Sequence, residues 1–269
     1  MQDTLILDNY QLSYSLTGSS NDKPLILFLH GFLGDRHDFQ TVISHLGDRF
    51  SCLTIDLPGH GNTKVTGEDQ CYQISPTAQA IIQLLDKLQI SQCFLVGYSM
   101  GGRLALYLTL HYPQRFIKVI LESTSPGLKT ELERLNRLQS DLHIAYKLRN
   151  EKLADFLSRW YDKPFFSSLK KHPNFAEFFQ KRLQNNPLEL SKCLRGMSTG
   201  RQPSLWNHIK HNTIPLLLLV GEQDDKFQQI NTEMVEIGKN MHLKVIKKCG
   251  HNIHLENPEI FIKNIIDFF

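Results

Sequence analysis

The 269-residue sequence contains no long apolar run. Its densest stretch, Leu216 to Val220, is strand-sized and falls far short of the roughly eighteen residues a membrane-crossing helix needs, so no membrane span is expected. The opening Met1-Gln2-Asp3 lacks the basic and apolar regions of a secretory signal, and a cytoplasmic location is expected. Cysteine is sparse and odd in number: Cys52, Cys71, Cys93, Cys193 and Cys249, with no Cys-x-x-Cys pair and no tight Cys/His spacing. A disulfide framework is thereby excluded, and the five read as small core hydrophobes in a reducing compartment. There is no internal repeat and no low-complexity linker. At 41% hydrophobic and 21% charged residues, the composition excludes long disorder and collagen-like structure. The aromatics show no RNP-like or single-strand-binding pattern, which argues against a nucleic-acid partner.

What is present is a series of short apolar runs with helical patterns between them. Gln11 to Leu16 alternates like a half-exposed strand. Leu25 to Leu29, Cys52 to Ile55, Cys93 to Val96, Val119 to Leu121, Leu216 to Val220 and Leu243 to Ile246 read as strands buried on both faces. Helical patterns cover Ser75 to Leu88, with Pro76 in the first turn, and Gly102 to Leu110, closed by Tyr112-Pro113. The fold class is therefore α/β, a mostly parallel sheet with helices on both faces. The alternation stops between about residues 122 and 212. Leu135, Leu138, Leu142 and Ala145 there form the apolar stripe of an amphipathic helix, and helical pattern continues through Trp160 and from Asn174 to Arg195. A single domain over 1–269 with a helical cap inserted at about 122–212 is expected. That insertion holds seven arginines and nine lysines against nine acidic residues, so it is strongly positive, while the whole chain is only +3. Such a division suggests a local site for an anion.

The sharpest motif is Gly97-Tyr98-Ser99-Met100-Gly101-Gly102, directly after an apolar strand and before a helix. This is the setting of a nucleophile elbow, in which a strained turn lifts a serine hydroxyl clear of the sheet. A serine nucleophile needs an acid and a histidine later in the chain. Asp224 lies just past Leu216 to Val220, and His251 lies on the loop after Leu243 to Ile246, so both fall at the carboxyl edge of the sheet. Asp225 and Glu222 compete for the acid and His254 for the base. His251 and His254 lack the further ligands a zinc site would need, and no metal is expected. An oxyanion hole is expected from the backbone N–H of Met100 and of Phe32, the latter in His30-Gly31-Phe32-Leu33-Gly34 after an early strand. Asp56-Leu57-Pro58-Gly59-His60-Gly61 reads as a structural turn.

With these motifs in this order, the chain resembles the α/β-hydrolase superfamily, a fold that hosts many reactions. Within it, Trp160-Tyr161-Asp162-Lys163-Pro164-Phe165-Phe166, the segment from Arg195 through Met197, Ser198, Thr199, Gly200 and Gln202 to Trp206, and Asp224-Asp225-Lys226-Phe227 are similar to the 2-succinyl-6-hydroxy-2,4-cyclohexadiene-1-carboxylate synthases of menaquinone and phylloquinone biosynthesis. Ser198 stands at an ordinary variable position of that pattern. The resemblance implies elimination of pyruvate from a small multi-carboxylate substrate, with no metal or organic cofactor. It also implies that Arg103, Arg137 and Arg182 bind the carboxylates and that Tyr98 and Trp160 line the pocket, with Arg134 a rival for Arg137. Two other classes share the fold: a serine hydrolase acting on an anionic substrate, and a non-catalytic ligand-binding module.

Overall fold

The structure, a computed structural model, describes residues 2–18 and 23–269. Its strands are β1 (Gln2–Leu7), β2 (Tyr10–Thr17), β3 (Leu25–Leu29), β4 (Ser51–Ile55), β5 (Lys64–Val65), β6 (Cys93–Tyr98), β7 (Phe116–Glu122), β8 (Leu216–Gly221) and β9 (Met241–Ile246). They form one nine-stranded sheet in the order β1-β2-β4-β3-β6-β7-β8-β9, with β5 paired to β2. From β4 to β9 the pairs are parallel, and β2 joins them antiparallel. The helices are α1 (Gln40–Ser44), α2 (Ile74–Lys87), α3 (Ser99–His111), α4 (Glu131–Asn150), α5 (Leu153–Tyr161), α6 (Ser167–Lys170), α7 (Phe175–Arg182), α8 (Pro187–Gly196), α9 (Asp225–Ile237), α10 (Ile253–Glu256) and α11 (Pro258–Phe268).

Because strand side chains alternate between faces, the buried runs feed two cores. Leu27, Leu29, Leu95 and Leu121 pack to one side with α2 and α3. Ile26, Phe28, Val96 and Ile120 pack to the other with α1 and α11. A third cluster, including Leu33, Ala145, Leu148, Phe156, Tyr161 and Leu190, lies under the helices between β7 and β8.

Three local expectations need correction. Leu243 to Ile246 is not buried on both faces: β9 is the last strand of the order, and Val245 is 43% exposed. The apolar stripe of α4 is only partly its buried face, since Ala145 is buried but Leu135 and Leu142 are exposed. The helix instead turns Asp141, Ala145 and Leu148 inward, because its contact with α8 and with the cavity described below sets its rotation. The pattern from Asn174 to Arg195 is two helices. Asn186 caps α8 through its side chain, and Pro187 starts it.

Candidate active site

β6 runs straight into α3, and Ser99 at the junction has φ +49°, a left-handed backbone rarely taken by residues other than glycine. The turn is possible because a Cβ at Gly97 would lie 2.7 Å from that of Ala105, and one at Gly101 would run into the backbone of Leu29 and His30. Ser99 is thereby raised into a cavity of about 440 Å³ between the sheet edge and α4, α5, α8 and α9. His251 Nε2 lies 3.0 Å from Ser99 Oγ, and His251 Nδ1 lies 2.5 Å from Asp224 Oδ2. Asp224 is 1% exposed, and its other oxygen accepts the Phe227 N–H at 3.4 Å at the start of α9.

The competitors are placed elsewhere. Asp225 is exposed. Glu222 accepts the Lys248 N–H. His254 is sealed in a pair with Glu122, 2.7 Å away, below the Tyr98 ring. That ring stands edge-on to both histidines and also lines the cavity.

Phe32 and Met100 both line the cavity beside Ser99. Met100 lies in the first turn of α3, where N–H groups have no partner within the helix. The Phe32 loop is held from below by the Asp56–Gly61 turn. His60 Nε2 accepts the Leu33 N–H at 3.1 Å, and His60 Nδ1 donates to the Pro58 carbonyl at 3.3 Å. His30 joins the same two segments, accepting the Leu57 N–H at 3.0 Å and donating to the Gly31 carbonyl at 2.7 Å. The Asp56 carboxylate meanwhile accepts the N–H groups of Arg36 and Asn62 and pairs with the Arg36 guanidinium. The turn is thus structural, and its structure sets the loop that carries Phe32.

Burial, with His30 beside it, pushes His60 well below the ordinary histidine range. A depressed histidine is protonated in the unfolded chain before the folded one, so the neutral contact stabilises above the unfolded value and stability falls as pH drops below about 6.5. Denaturant titrations should show up to about 1.4 kcal/mol lost per pH unit from this residue in that window. His60→Gln should flatten that part of the profile; an unchanged slope would count against the assignment.

Of the implied carboxylate binders, Arg103 and Arg137 reach the cavity. Arg103 donates to Gln202 Oε1 at 2.6 Å and to the Met197 carbonyl at 2.8 Å. Burial and Arg137 lower its pKa to about 10, so it is charged at neutral pH. Arg137 Nε binds Asp141 Oδ1 at 2.8 Å, and Asp141 Oδ2 accepts Ser198 Oγ at 2.7 Å. The segment Met197–Trp206 therefore positions both arginines, with Ser198 buried at 1% exposure against Asp141. Arg134 reaches the Gly200 carbonyl instead of the cavity.

Arg182 lies apart from the cavity lining. It is 4% exposed, its fork closes on Asp38 at 2.7 and 2.9 Å, and its guanidinium lies 4.3 Å from the Phe178 ring centre. Its two terminal nitrogens are turned to Asp38, while its Nε is buried without a hydrogen-bond partner. Trp160 does line it, packed on Phe32 and Phe156.

Charge counting from sequence overstated the insertion's contribution: of its arginines and lysines, Arg137 and Lys163 line the cavity. Two cations that charge counting does not single out, Lys163 in Trp160–Phe166 and Lys226 in Asp224–Phe227, line it.

Comparison with known proteins bears on this arrangement. A family model described as alpha/beta hydrolase fold matches residues 24–258. A putative 2-succinyl-6-hydroxy-2,4-cyclohexadiene-1-carboxylate synthase of Bacillus subtilis (strain 168) is 34% identical over 250 residues, covering 92% of this chain and 91% of that protein. The synthase of that name from Enterobacter sp. (strain 638) is 37% identical over 87% of both chains. The solved structure of MenH from S. aureus superposes with a TM-score of 0.89 at 34% identity, over 97% of this chain and 98% of that one. A thermophilic esterase from Thermogutta terrifontis, 22% identical with a TM-score of 0.84, shares the fold.

Proposed function

The chain belongs to the α/β-hydrolase family and, within it, to the 2-succinyl-6-hydroxy-2,4-cyclohexadiene-1-carboxylate synthases, and from that membership we propose how its own residues carry the reaction. It is a lyase that eliminates pyruvate from 2-succinyl-5-enolpyruvyl-6-hydroxy-3-cyclohexene-1-carboxylate in menaquinone and phylloquinone biosynthesis. Residues 122–212 serve as a cap on a single domain, and the enzyme works in the cytoplasm; its five cysteines, all buried and free, suit a reducing compartment.

Asp224 holds His251 in the tautomer that leaves Nε2 free to accept the Ser99 proton, and the Ser99–His251 pair takes an activated C–H proton from the ring. The electron pair left behind becomes an enolate, steadied by the Phe32 and Met100 N–H groups. It then forms the new ring double bond as the enolpyruvyl C–O bond breaks, and the departing enolate takes up the proton held by the Ser99–His251 pair and leaves as pyruvate. Arg103 and Arg137 hold the carboxylates so that the acidic carbon, and not an ester carbonyl, faces Ser99.

The observation that supports elimination over ester hydrolysis is the lining of the cavity, in which cations surround Ser99. A hydrolase with the same triad would pass through an ester at Ser99 and add water. Incubation with the enolpyruvyl substrate should give one pyruvate per ring product, no label from heavy-oxygen water in that product, and no burst of covalent intermediate. Nitrophenyl esters, which lack the carboxylates, should turn over feebly. Rapid ester turnover with an acyl-enzyme burst, and no pyruvate, would favour the hydrolase.

A further inference from the structure

Four cations line the cavity around Ser99: Arg103, Arg137, Lys163 and Lys226. Arg103 is held by neutral oxygens, and Arg137 by Asp141. Asp224, the other carboxylate near them, is committed to His251. Among the described residues, neither Lys163 nor Lys226 has a carboxylate within ion-pairing distance. Lys163 is half-buried, just past the end of α5, with its Nζ 3.2 Å from the centre of the Trp160 ring. An ammonium that has given up water for an aromatic face keeps some attraction but has no counter-charge. Lys226 enters from α9 at the exposed mouth of the same cavity.

We propose that Lys163, assisted by Lys226 at the mouth, forms a second carboxylate subsite, separate from that of Arg103 and Arg137, which grips another carboxylate of the substrate. This assignment rests on the lyase reading of the site. A substrate with several carboxylates needs counter-charge at more than one place, and Arg103 and Arg137 lie on α3 and α4, whereas the lysines come from α5's end and α9. Lysine suits a subsite that must let go of its ring and reach for an anion, since it is a point charge on a flexible stem.

The subsite should leave a mark on the pH profile. Burial, then Arg137 and Lys226, bring the Lys163 pKa down to about 8, against Asp141, which raises it. The groups that face it are Arg137 and Asp141 from α4 and Lys226 from α9; Arg103, Tyr98 and His251 complete the cavity. Lys163 is charged below about 8 and loses its charge above it, while a bound carboxylate pushes its pKa back up. So kcat/KM should fall as pH rises past about 8 in the free enzyme, and kcat should hold to higher pH.

Pyruvate release by the wild type, K163Q, K163R and K226Q can be followed across this range. K163Q should raise KM about tenfold with kcat within about twofold, as for loss of uniform binding, and should remove the limb near pH 8. K163R should keep KM low and move that limb upward, because arginine stays charged. K226Q should raise KM by about threefold. Calorimetric titration with propane-1,2,3-tricarboxylate, a substrate-independent probe, should show about tenfold weaker binding to K163Q. Unchanged KM and pH profile in K163Q, or equal losses in K163Q and K163R, would overturn the subsite. If the wild type releases no pyruvate, the lyase reading fails, and equal tricarboxylate affinity in wild type and K163Q would then overturn the subsite separately.

Discussion

Ser99→Ala is expected to slow pyruvate release by about 10²–10⁴-fold, the range for losing a positioned proton-transfer group, with the folded state intact. The alanine inherits the same left-handed backbone, so it neither adds nor relieves strain, and the melting temperature should stay near that of the wild type. His251→Ala and Asp224→Asn should fall in the same range, since each removes one link of the chain from Oγ to Oδ2. The asparagine is informative because its side-chain oxygen can still accept the Phe227 N–H that begins α9, while its amide offers the wrong polarity to His251 Nδ1. Losses should be strongly non-additive: the double variant Ser99→Ala/His251→Ala should be scarcely slower than either single one. Steady-state kinetics of the four variants, with melting curves as the check on folding, decide the matter. Near-normal turnover in Asp224→Asn beside a dead Asp225→Asn would move the acid by one residue.

The nucleophile turn, the acid and the histidine were legible because each follows a short apolar run that forms a strand, and in a parallel sheet the carboxyl ends of such strands converge. Phe32 and Met100 came with the strand-end motifs, whereas Tyr98 and Trp160, which also line the cavity, were named only through the family resemblance. Charge was far less legible. Sequence gives the number of cations in a segment, but whether one faces a cavity depends on helix rotation, and α4 turned by a different face from the one its leucines suggested. Leu132, Leu135, Leu142 and Tyr146 stay exposed because Ala145 and Leu148 take the packing against the third core. Lys163 and Lys226 were passed over for a related reason: a lysine beside an aromatic reads as surface until the aromatic is known to line a cleft. The edge position of β9 was hidden too, since nothing in Leu243 to Ile246 says that no further strand follows it in the sheet order.

Arg182→Ala is expected to cost about 3–5 kcal/mol of folding stability, the range for leaving a buried ion without its partner. Asp38 and Arg182 are 7% and 4% exposed and meet through two parallel hydrogen bonds, so removing the guanidinium strands a carboxylate away from water. Burial works to raise the Asp38 carboxyl, but Arg182 outweighs it and holds the group below the ordinary carboxylate range. The pair's stabilisation is therefore present above the unfolded pKa and fades as pH falls through the folded one, so Arg182→Ala and wild type should converge in strongly acid solution. Asp38 follows directly on the loop that carries Phe32, and Arg182 ends α7, so the pair ties α7 to that loop. A positioning residue of this kind should lose kcat and melting temperature together. The double variant Asp38→Asn/Arg182→Met, which leaves neither charge buried alone, should recover much of the stability. Denaturant unfolding of both variants, run beside KM measurements, tests this. If Arg182→Ala unfolds like wild type and raises KM alone, the guanidinium leaves Asp38 for the substrate, and the carboxylate role implied by resemblance is restored.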